Sequence, residues 1–421
     1  MVQPMRRALA FIVPCFAVAL IGAETVHGQP ADSMTGVWAF VTNAIEKNPE
    51  TRAARERGEQ ARATADAMSA PLYNPELEGE LEQFKNDSRQ PSKYEVGVGL
   101  TLDIGGKRSA RARTGAAQAN AGAIEAVRVQ HDVARRLLTA IAAVSTSRER
   151  EQNARSQDDV ARQFLDVTER SVRAGDVGQP DVDIARLLVL DAETENRAAQ
   201  AQRLGAELDL RQLCSCEPGE LPKLPLLPPA PPQLSAEDMD RLADRSLEFE
   251  IARARVEAAW GELQFAQRAR IPDPTIGVGV GDDGGQQLVR LRVSIPFPIL
   301  NTGAAEARAA NRALAASELD LEKAGLEAAA RVRAAYAAYQ SALANLKSWR
   351  AQGAPAVAAR FNQLRRLLAA RELTTTEYLV QLREVLTAAS RGLEAERDAW
   401  AAYADWIALT ANVPGVTGGK V

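Results

Sequence analysis

The sequence is poor in the residues from which most enzyme and metal sites are built. Its 421 residues include two histidines and three cysteines. His27 lies in a segment that we expect to be removed, which leaves His131 as the only histidine of a mature chain. Histidine metal sites and Ser-His-Asp catalysis are therefore nearly excluded, and no other nucleophile–base set can be named. We expect a protein that is not an enzyme and that carries no metal or cofactor.

The chain also lacks a strong charge of one sign and a high aromatic content. The 51 basic and 55 acidic residues leave a net charge of −4, and aromatic residues make up 5% of the chain. Nucleic-acid-binding domains usually carry a basic surface, so the charge balance argues against a nucleic-acid partner. Few aromatic residues, together with abundant alanine, leucine, arginine and glutamate, favour long helices over a compact mixed core.

Long apolar runs are absent beyond the N-terminus. Two arginines in the first seven residues are followed by an apolar stretch over residues 8–22. This pattern predicts a signal peptide, residues 1–28, with cleavage after residue 23 or 28, which would also remove Cys15. The alternative is a cytoplasmic protein with an apolar N-terminal helix. Because no later run reaches about 18 apolar residues, we expect an exported chain without a helical membrane anchor.

The two remaining cysteines, Cys214 and Cys216, form a Cys-Ser-Cys sequence at the end of a helical run. A metal site would need further ligands, and none lie nearby in the sequence. This leaves two interpretations for an oxidising compartment, a disulfide or a pair of free thiols.

The two halves of the sequence resemble each other. Residues 217–233 hold seven of the 21 prolines and predict a stiff, extended linker near the middle. Landmarks on its two sides recur at nearly constant separations of 199, 197 and 196 residues. The pairs are Asn74 with Asp273, Gly106 with Gly303, and Gly175 with Arg371. We interpret them as a tandem duplication with a first repeat over residues 36–216, a second over 235–413 and a flexible tail over 414–421.

Each repeat predicts the same order of elements. A helix (residues 36–70 or 235–270) precedes two strands, a very long helix, a tight turn near residues 175–180 or 371–376, and a returning helix. The long helix of the first repeat, residues 107–173, would measure about 100 Å and must therefore pack as a coiled coil. Its counterpart, residues 303–370, contains Gly353-Ala354-Pro355, where we expect a kink or a break.

Four segments alternate as strands: residues 76–84, 93–103, 275–281 and 287–297. In the second, Tyr94, Val96 and Val98 alternate with Glu95, Gly97 and Gly99. A tilted strand of about nine to eleven residues is long enough to cross a membrane. Four strands cannot close a barrel, so several copies would have to build one together. The alternative is a soluble hairpin in each half, packed on helices.

The polar face of these strands carries charged residues that would line the lumen of such a barrel. They are Glu76, Glu78, Glu80, Glu82, Glu95, Asp103, Arg290 and Arg292. The carboxylates would attract cations, and the arginines would partly neutralise the negative charge of the carboxylates. The alternative is an ordinary solvated face without any role in selectivity.

Four stretches carry a family resemblance. They are Asn74-Pro75-Glu76-Leu77, Asp103-Ile104-Gly105-Gly106-Lys107-Arg108, Ile295-Pro296-Phe297-Pro298-Ile299 with Asn301-Thr302-Gly303, and Arg173-Ala174-Gly175-Asp176-Val177. Their order and spacing resemble the TolC-type outer-membrane efflux proteins. The sequence is most similar to the branch that serves heavy-metal-cation (cobalt-zinc-cadmium type) pumps of the resistance–nodulation–division class.

The resemblance implies a mainly α fold with a small β part. Three copies would each give four strands to a twelve-stranded transmembrane β-barrel in outer-membrane lipid, continued by a periplasmic α-barrel of coiled-coil hairpins. The expected function is passive conduction of heavy-metal cations out of the periplasm, with a periplasmic adaptor and an inner-membrane pump as partners. The alternative is a soluble periplasmic coiled-coil adaptor or scaffold.

By the same resemblance, the two hairpin tips would dock the adaptor or gate the pore, and the second hairpin would be the one that moves. The tip residues are Gly175, Asp176, Val177, Asp181, Arg371, Glu372, Leu373 and Glu377. Asp181 and Glu377 have an alternative role as caps of the returning helices, where carboxylates favour the helix dipole.

Overall fold

The computed structural model describes residues 31–83, 92–175, 178–216, 221–283, 285–370, 372 and 375–416. The predicted signal peptide and residues 417–421 of the predicted tail lie outside this part of the chain. Four of the predicted tip residues also lie outside it: Asp176, Val177, Arg371 and Leu373.

The first half contains four helices and two strands. They are α1 (Ala31–Lys47), α2 (Pro49–Ser69), β1 (Glu76–Gln83), β2 (Ser92–Thr101), α3 (Lys107–Ala174) and α4 (Gln179–Cys214). The second half follows the same order. It consists of α5 (Ala236–Ala243), α6 (Leu247–Arg268), β3 (Thr275–Asp283), β4 (Gln286–Ser294), α7 (Ala304–Ser348), a π-helical turn (Trp349–Gly353), α8 (Ala354–Ala369) and α9 (Thr375–Leu409).

The first helix predicted in each half is in fact two helices, so this prediction was wrong. Asn48 precedes Pro49, which disfavours the helical conformation for Asn48. Its Oδ1 instead accepts hydrogen bonds from the N–H groups of Glu50 (2.9 Å) and Thr51 (3.2 Å) and caps α2. Ser246 interrupts the second half in the same way, with its hydroxyl oxygen 3.3 Å from the Phe249 nitrogen. Local capping by these side chains outweighs the helical periodicity.

The long helices form two hairpins. In hairpin 1, α3 runs for 68 residues before the chain turns into α4. In hairpin 2, the first arm is α7, which continues through the π-helical turn into α8, and the second arm is α9. The predicted irregularity therefore lies at Gly353 and Pro355. Within the described ranges, no helix combines the length and the apolar composition that crossing a membrane requires.

The four strands form one antiparallel sheet in the order β1-β2-β3-β4. In its register, Glu95 of β2 lies between Glu80 of β1 and Gly281 of β3. Pairing of β2 with β3 therefore joins the two halves into a single sheet. The long helices and the four strands confirm the fold class that was predicted from the sequence.

The two halves also share a core. Leu137 and Leu138 of α3 pack in one buried cluster with Tyr339 of α7 and Trp400 of α9. Part of the proline-rich segment lies against this core, because the Tyr336 hydroxyl donates to the Pro232 carbonyl at 2.8 Å and the Tyr339 hydroxyl donates to the Pro229 carbonyl. The described part of the predicted linker therefore packs on the helices of the second half.

Candidate functional site

The sheet has two chemically different faces. One face carries Leu77 of β1, Val98 of β2, Val278 of β3 and Leu291 of β4 at one level, as the strand register shows. These side chains are exposed, and Leu77 is 79% accessible. The other face carries the predicted glutamates and arginines. A sheet with one bare apolar face suits contact with hydrocarbon on that side and water on the other.

Glycines line the polar face of the two central strands. Gly97 pairs with Gly279, and Gly99 pairs with Gly277. A Cβ atom at Gly279 would overlap the Glu95 side chain. The missing side chains therefore leave room for long residues of neighbouring strands to reach across the sheet.

Glu95 is the centre of an ion-pair network that lies over these glycines. Its carboxylate lies 2.6 Å from the Arg290 guanidinium and 3.8 Å from that of Arg292, and Glu95 is 5% exposed. Arg292 also pairs with Glu78, and Arg290 lies 3.6 Å from Glu80. The two arginines of β4 thus reach carboxylates on both β1 and β2.

Lys93 is a member of this network that the sequence analysis missed. Its Nζ lies 3.4 Å from Glu80 and 3.8 Å from Glu82. The signal was present, because Lys93 is two residues before Glu95 and so shares its face of the strand. Five glutamates share this face with three basic residues, and four of them form ion pairs, which leaves the face acidic. Among the described residues, no group of histidine, cysteine, aspartate or glutamate is arranged to hold a metal ion.

Asp103 has a capping role that the sequence did not predict. It lies beyond the end of β2, and its two carboxylate oxygens accept hydrogen bonds from the N–H groups of Lys107 (2.9 Å) and Arg108 (2.8 Å). The side chain therefore caps the first turn of α3, where backbone N–H groups lack helical partners. Asp103 does not take part in the network around Glu95.

A buried contact fixes the sheet to the helices. The Asp273 Oδ2 atom lies 2.7 Å from the Lys107 Nζ and accepts a hydrogen bond of 2.7 Å from the Tyr73 hydroxyl. Asp273 and Lys107 are both buried. From the sequence, Asp273 was identified only as a landmark that matches Asn74, because its partners are distant along the chain.

The tip of hairpin 1 is built on Gly175. Its φ of 82° is a left-handed conformation that glycine adopts without the penalty of a side chain, and its N–H donates to the Val172 carbonyl at 3.0 Å. No neighbouring heavy atom lies within 4 Å of a Cβ built at this position. The Asp181 carboxylate accepts from the Gly178 N–H at 3.3 Å, which is the capping role given above as its alternative.

Two acidic residues of the second tip are described. Glu372 is exposed, and its N–H donates to the Leu367 carbonyl at 3.0 Å. Glu377 is exposed in the first turn of α9, where a carboxylate favours the helix dipole. The second tip therefore presents acidic side chains to solvent, and the docking or gating role of both tips stays a prediction.

Cys214 and Cys216 are joined by a disulfide at the end of α4. Of the two interpretations open from the sequence, the structure has the disulfide. Disulfides persist in oxidising compartments such as the periplasm, so the bond agrees with an exported chain.

Comparison with known proteins gives the class of fold. Residues 40–215 match the family described as outer membrane efflux protein. The structure resembles the CmeC outer membrane channel of Campylobacter jejuni, with a TM-score of 0.77, 12% identity, and coverage of 97% of this chain and 94% of that one. No curated protein sequence matches the chain.

Two further structures have the same fold. The MtrE outer membrane channel of Neisseria gonorrhoeae gives a TM-score of 0.73 and 20% identity, and the match covers 90% of this chain and 89% of that one. The outer membrane protein VceC of Vibrio cholerae gives a TM-score of 0.72 and 15% identity, and the match covers 89% of this chain and 96% of that one. The chain therefore has the TolC-type fold over most of its length. These matches lie among channels of the outer membrane, which is the location predicted from the sequence.

Proposed function

We propose that this chain is the outer-membrane channel of a tripartite efflux system and conducts its substrate passively from the periplasm to the exterior. The observation that carries the proposal is the four-stranded sheet with one bare apolar face and one charged face. A soluble adaptor or scaffold, the alternative from the sequence, would leave this apolar face in water, which soluble proteins avoid.

The open sheet edges support assembly of several copies, and the resemblance implies three. β1 and β4 each have one strand neighbour in the described chain, so one edge of each is free to pair. Unpaired backbone N–H and C=O groups are too costly to persist in hydrocarbon, and only closed barrels avoid them. Three copies that pair β4 with the next β1 would close a barrel of twelve strands. The main partner of the chain would then be itself.

The polar face supports cations as the substrate. With five glutamates against Lys93, Arg290 and Arg292, each copy contributes a net negative charge to the lumen. Such a lumen raises the local concentration of cations and lowers that of anions. The resemblance narrows the class to heavy-metal cations, which would pass in hydrated form.

The hairpin tips are the proposed docking sites for a periplasmic adaptor, which links the channel to an inner-membrane pump. Gly175 and Glu372 are exposed at these turns. Helical hairpins end there, and an exposed carboxylate such as that of Glu372 suits a partner with basic residues.

The charge of the lumen is tested by a double variant, Glu78→Lys with Glu80→Lys, in planar bilayers. We expect the cation-to-anion permeability ratio, from reversal potentials in a salt gradient, to fall severalfold because two carboxylates per copy become cations. Glu59→Lys on α2 is the matched control, since Glu59 is an exposed carboxylate outside the sheet. Equal cation and anion currents before and after the change would remove the selectivity role.

The docking role is tested by Gly175→Val. A β-branched residue opposes the left-handed conformation at this turn, so adaptor cross-linking and resistance to the pumped metal should drop while trimers persist in the membrane. Gly205→Val, at an open site within α4, controls for the added side chain itself. Unchanged resistance in Gly175→Val would count against docking at this tip.

A further inference from the structure

The apolar face of the sheet continues past the last paired residues of its strands. The alternation of Val289, Leu291 and Val293 on β4 extends through Ile295 and Phe297, which follow the end of the strand. Phe297 and Ile299 are each 80% exposed. On β2 the same face extends from Leu100 through Leu102 to Ile104, which is exposed. This extension lies on the side of the sheet from which the long helices leave.

The apolar face of the paired strands alone is shorter than the hydrocarbon layer of a bilayer. The apolar face of β4 extends over five residues, from Val289 to Val293, and the four steps between them rise about 10 Å across a membrane at a tilt of about 40°. On β2 it extends over seven residues, from Tyr94 to Leu100, and the six steps rise about 15 Å. The apolar band of outer-membrane barrels is about 25 Å tall. Counting on to Phe297 and Ile104 brings these heights to about 20 and 25 Å.

Three arginines lie where this extended face meets the helices. The guanidinium of Arg108 donates to the Ser69 carbonyl at 2.6 Å, that of Arg268 to the Gly106 carbonyl at 2.7 Å, and that of Arg270 to the Thr302 carbonyl at 3.1 Å. These partners are neutral, and the described residues give none of the three a carboxylate. Each guanidinium has five N–H donors in all, so further donors can bind a phosphate.

We propose that these residues form a membrane collar that binds the periplasmic leaflet of the outer membrane. The collar comprises Ile104, Phe297, Ile299 and Leu300 with Arg108, Arg268 and Arg270. The apolar residues enter the edge of the hydrocarbon, and the arginines contact the phosphate groups of anionic phospholipids. The proposal rests on the channel function above and adds a lipid-binding surface at a defined height. The lipid is the favoured occupant because the collar continues the lipid-facing side of the barrel.

The apolar residues of the collar are tested with spin labels in trimers reconstituted into phosphatidylethanolamine–phosphatidylglycerol vesicles. The labels are attached to single cysteines in the variants Phe297→Cys, Leu291→Cys and Leu326→Cys. Oxygen collides with labels in lipid, and a water-soluble nickel chelate collides with labels in water. We expect Phe297→Cys to favour oxygen severalfold, as Leu291→Cys in mid-strand does. Leu326 is an exposed leucine of α7, away from the sheet, and its label should not favour oxygen. The native disulfide at Cys214 and Cys216 does not react with the label.

The outcomes separate the two proposals. If the Leu291→Cys label does not favour oxygen, the sheet is not in lipid and the channel function fails. If that label favours oxygen and the Phe297→Cys label favours the nickel reagent, the collar proposal is overturned alone. A Phe297→Cys label that meets neither reagent, with cross-links between copies, would make this segment a subunit contact and would overturn the collar equally.

The arginines of the collar are tested with the double variant Arg108→Gln and Arg270→Gln. We expect phosphatidylglycerol to raise the temperature at which native trimers dissociate, relative to vesicles of neutral lipid, and this gain to be at least halved in the double variant. Arg57→Gln on α2, an exposed arginine away from the collar, is the control and should keep the full gain. An equal gain in all three proteins would overturn headgroup binding.

Discussion

The two hairpins are similar in length but are held together differently. In hairpin 1, charged pairs cross between α3 and α4 along their length: Glu151 with Arg203, Arg148 with Glu207 at 3.0 Å, Arg150 with Glu195 at 2.8 Å, and Arg162 with Glu193 at 2.5 Å. Glu151 is the buried member of this series. Surface ion pairs each contribute little, so the stability of hairpin 1 is distributed over many weak contacts.

Hairpin 2 contains one tightly packed place around a tryptophan. A Cβ atom on Gly353 in the π-helical turn or on Gly392 of α9 would overlap the indole of Trp349, so the ring fills a slot between two glycines. Beside it, the Arg350 guanidinium lies 2.5 Å from the Glu396 carboxylate, and burial raises the pKa of that carboxyl. One substitution in this slot should therefore disturb hairpin 2 more than any single surface change disturbs hairpin 1.

The largest difference between the halves should come from Asp273→Asn. The change leaves the buried Lys107 ammonium without its 2.7 Å partner charge, which we expect to lower the free energy of unfolding by about 3–5 kcal/mol. The measurement is urea unfolding in detergent. Asn74→Asp, the matching position of the first half, is exposed and should change stability little. Equal effects at both positions would contradict a special role for the Asp273 contact.

A second difference concerns acid sensitivity. His131 is 2% exposed, and burial lowers the pKa of its imidazole to about 4, whereas the matching residue of the second half is Ala328. Between pH 6.5 and 4 the unfolded chain binds a proton that the native chain does not. The contribution is therefore fully present above pH 6.5 and should fall by about 3 kcal/mol as the pH drops to 4.

This acid effect is checked by comparing the pH profile of unfolding for the native chain and for His131→Leu. The variant should lose the slope between pH 6.5 and 4. Several charged side chains line the cavity beside the imidazole: Arg128, Asp132, Arg135, Glu248, Arg331 and Asp405. A slope that persists in the variant would assign the acid sensitivity to these neighbours.

The smallest effect, and the one that addresses the hairpins directly, is expected for Gly392→Ala. The added methyl group should expel the Trp349 ring and cost about 1–3 kcal/mol, as overpacking does elsewhere. Gly205→Ala, at an open site of hairpin 1, should instead stabilise by up to about 1 kcal/mol through helix propensity. Thermal unfolding by circular dichroism distinguishes them. Adding Trp349→Leu to Gly392→Ala should restore part of the loss, and no recovery would argue against the slot.

The sequence was informative where one physical pattern dominates. The strands could be predicted because their faces alternate between exposed apolar residues such as Val96 and polar ones such as Glu95. The long helices followed from an uninterrupted helical composition, and the irregularity at Gly353 and Pro355 from the known effect of proline on a helix.

Features that depend on distant partners could not be predicted. Asp273 meets Lys107 across 166 residues, and Tyr336 meets the proline-rich segment across 104 residues. Asp103 looked like one more residue of an alternating strand, but the nearby start of α3 recruits its carboxylate as a cap. The split at Asn48 was readable in principle, since Pro49 follows it directly.

The pairing of β2 with β3 has a consequence for assembly. In the proposed trimer, this pairing would place within one polypeptide a strand contact that six separate β-hairpins would have to make between molecules. Three chains rather than six molecules would then lose their translational and rotational freedom when the ring closes, so the entropic barrier to assembly would be lower. Because both helical hairpins belong to one chain, the two kinds would alternate around the axis of such a trimer.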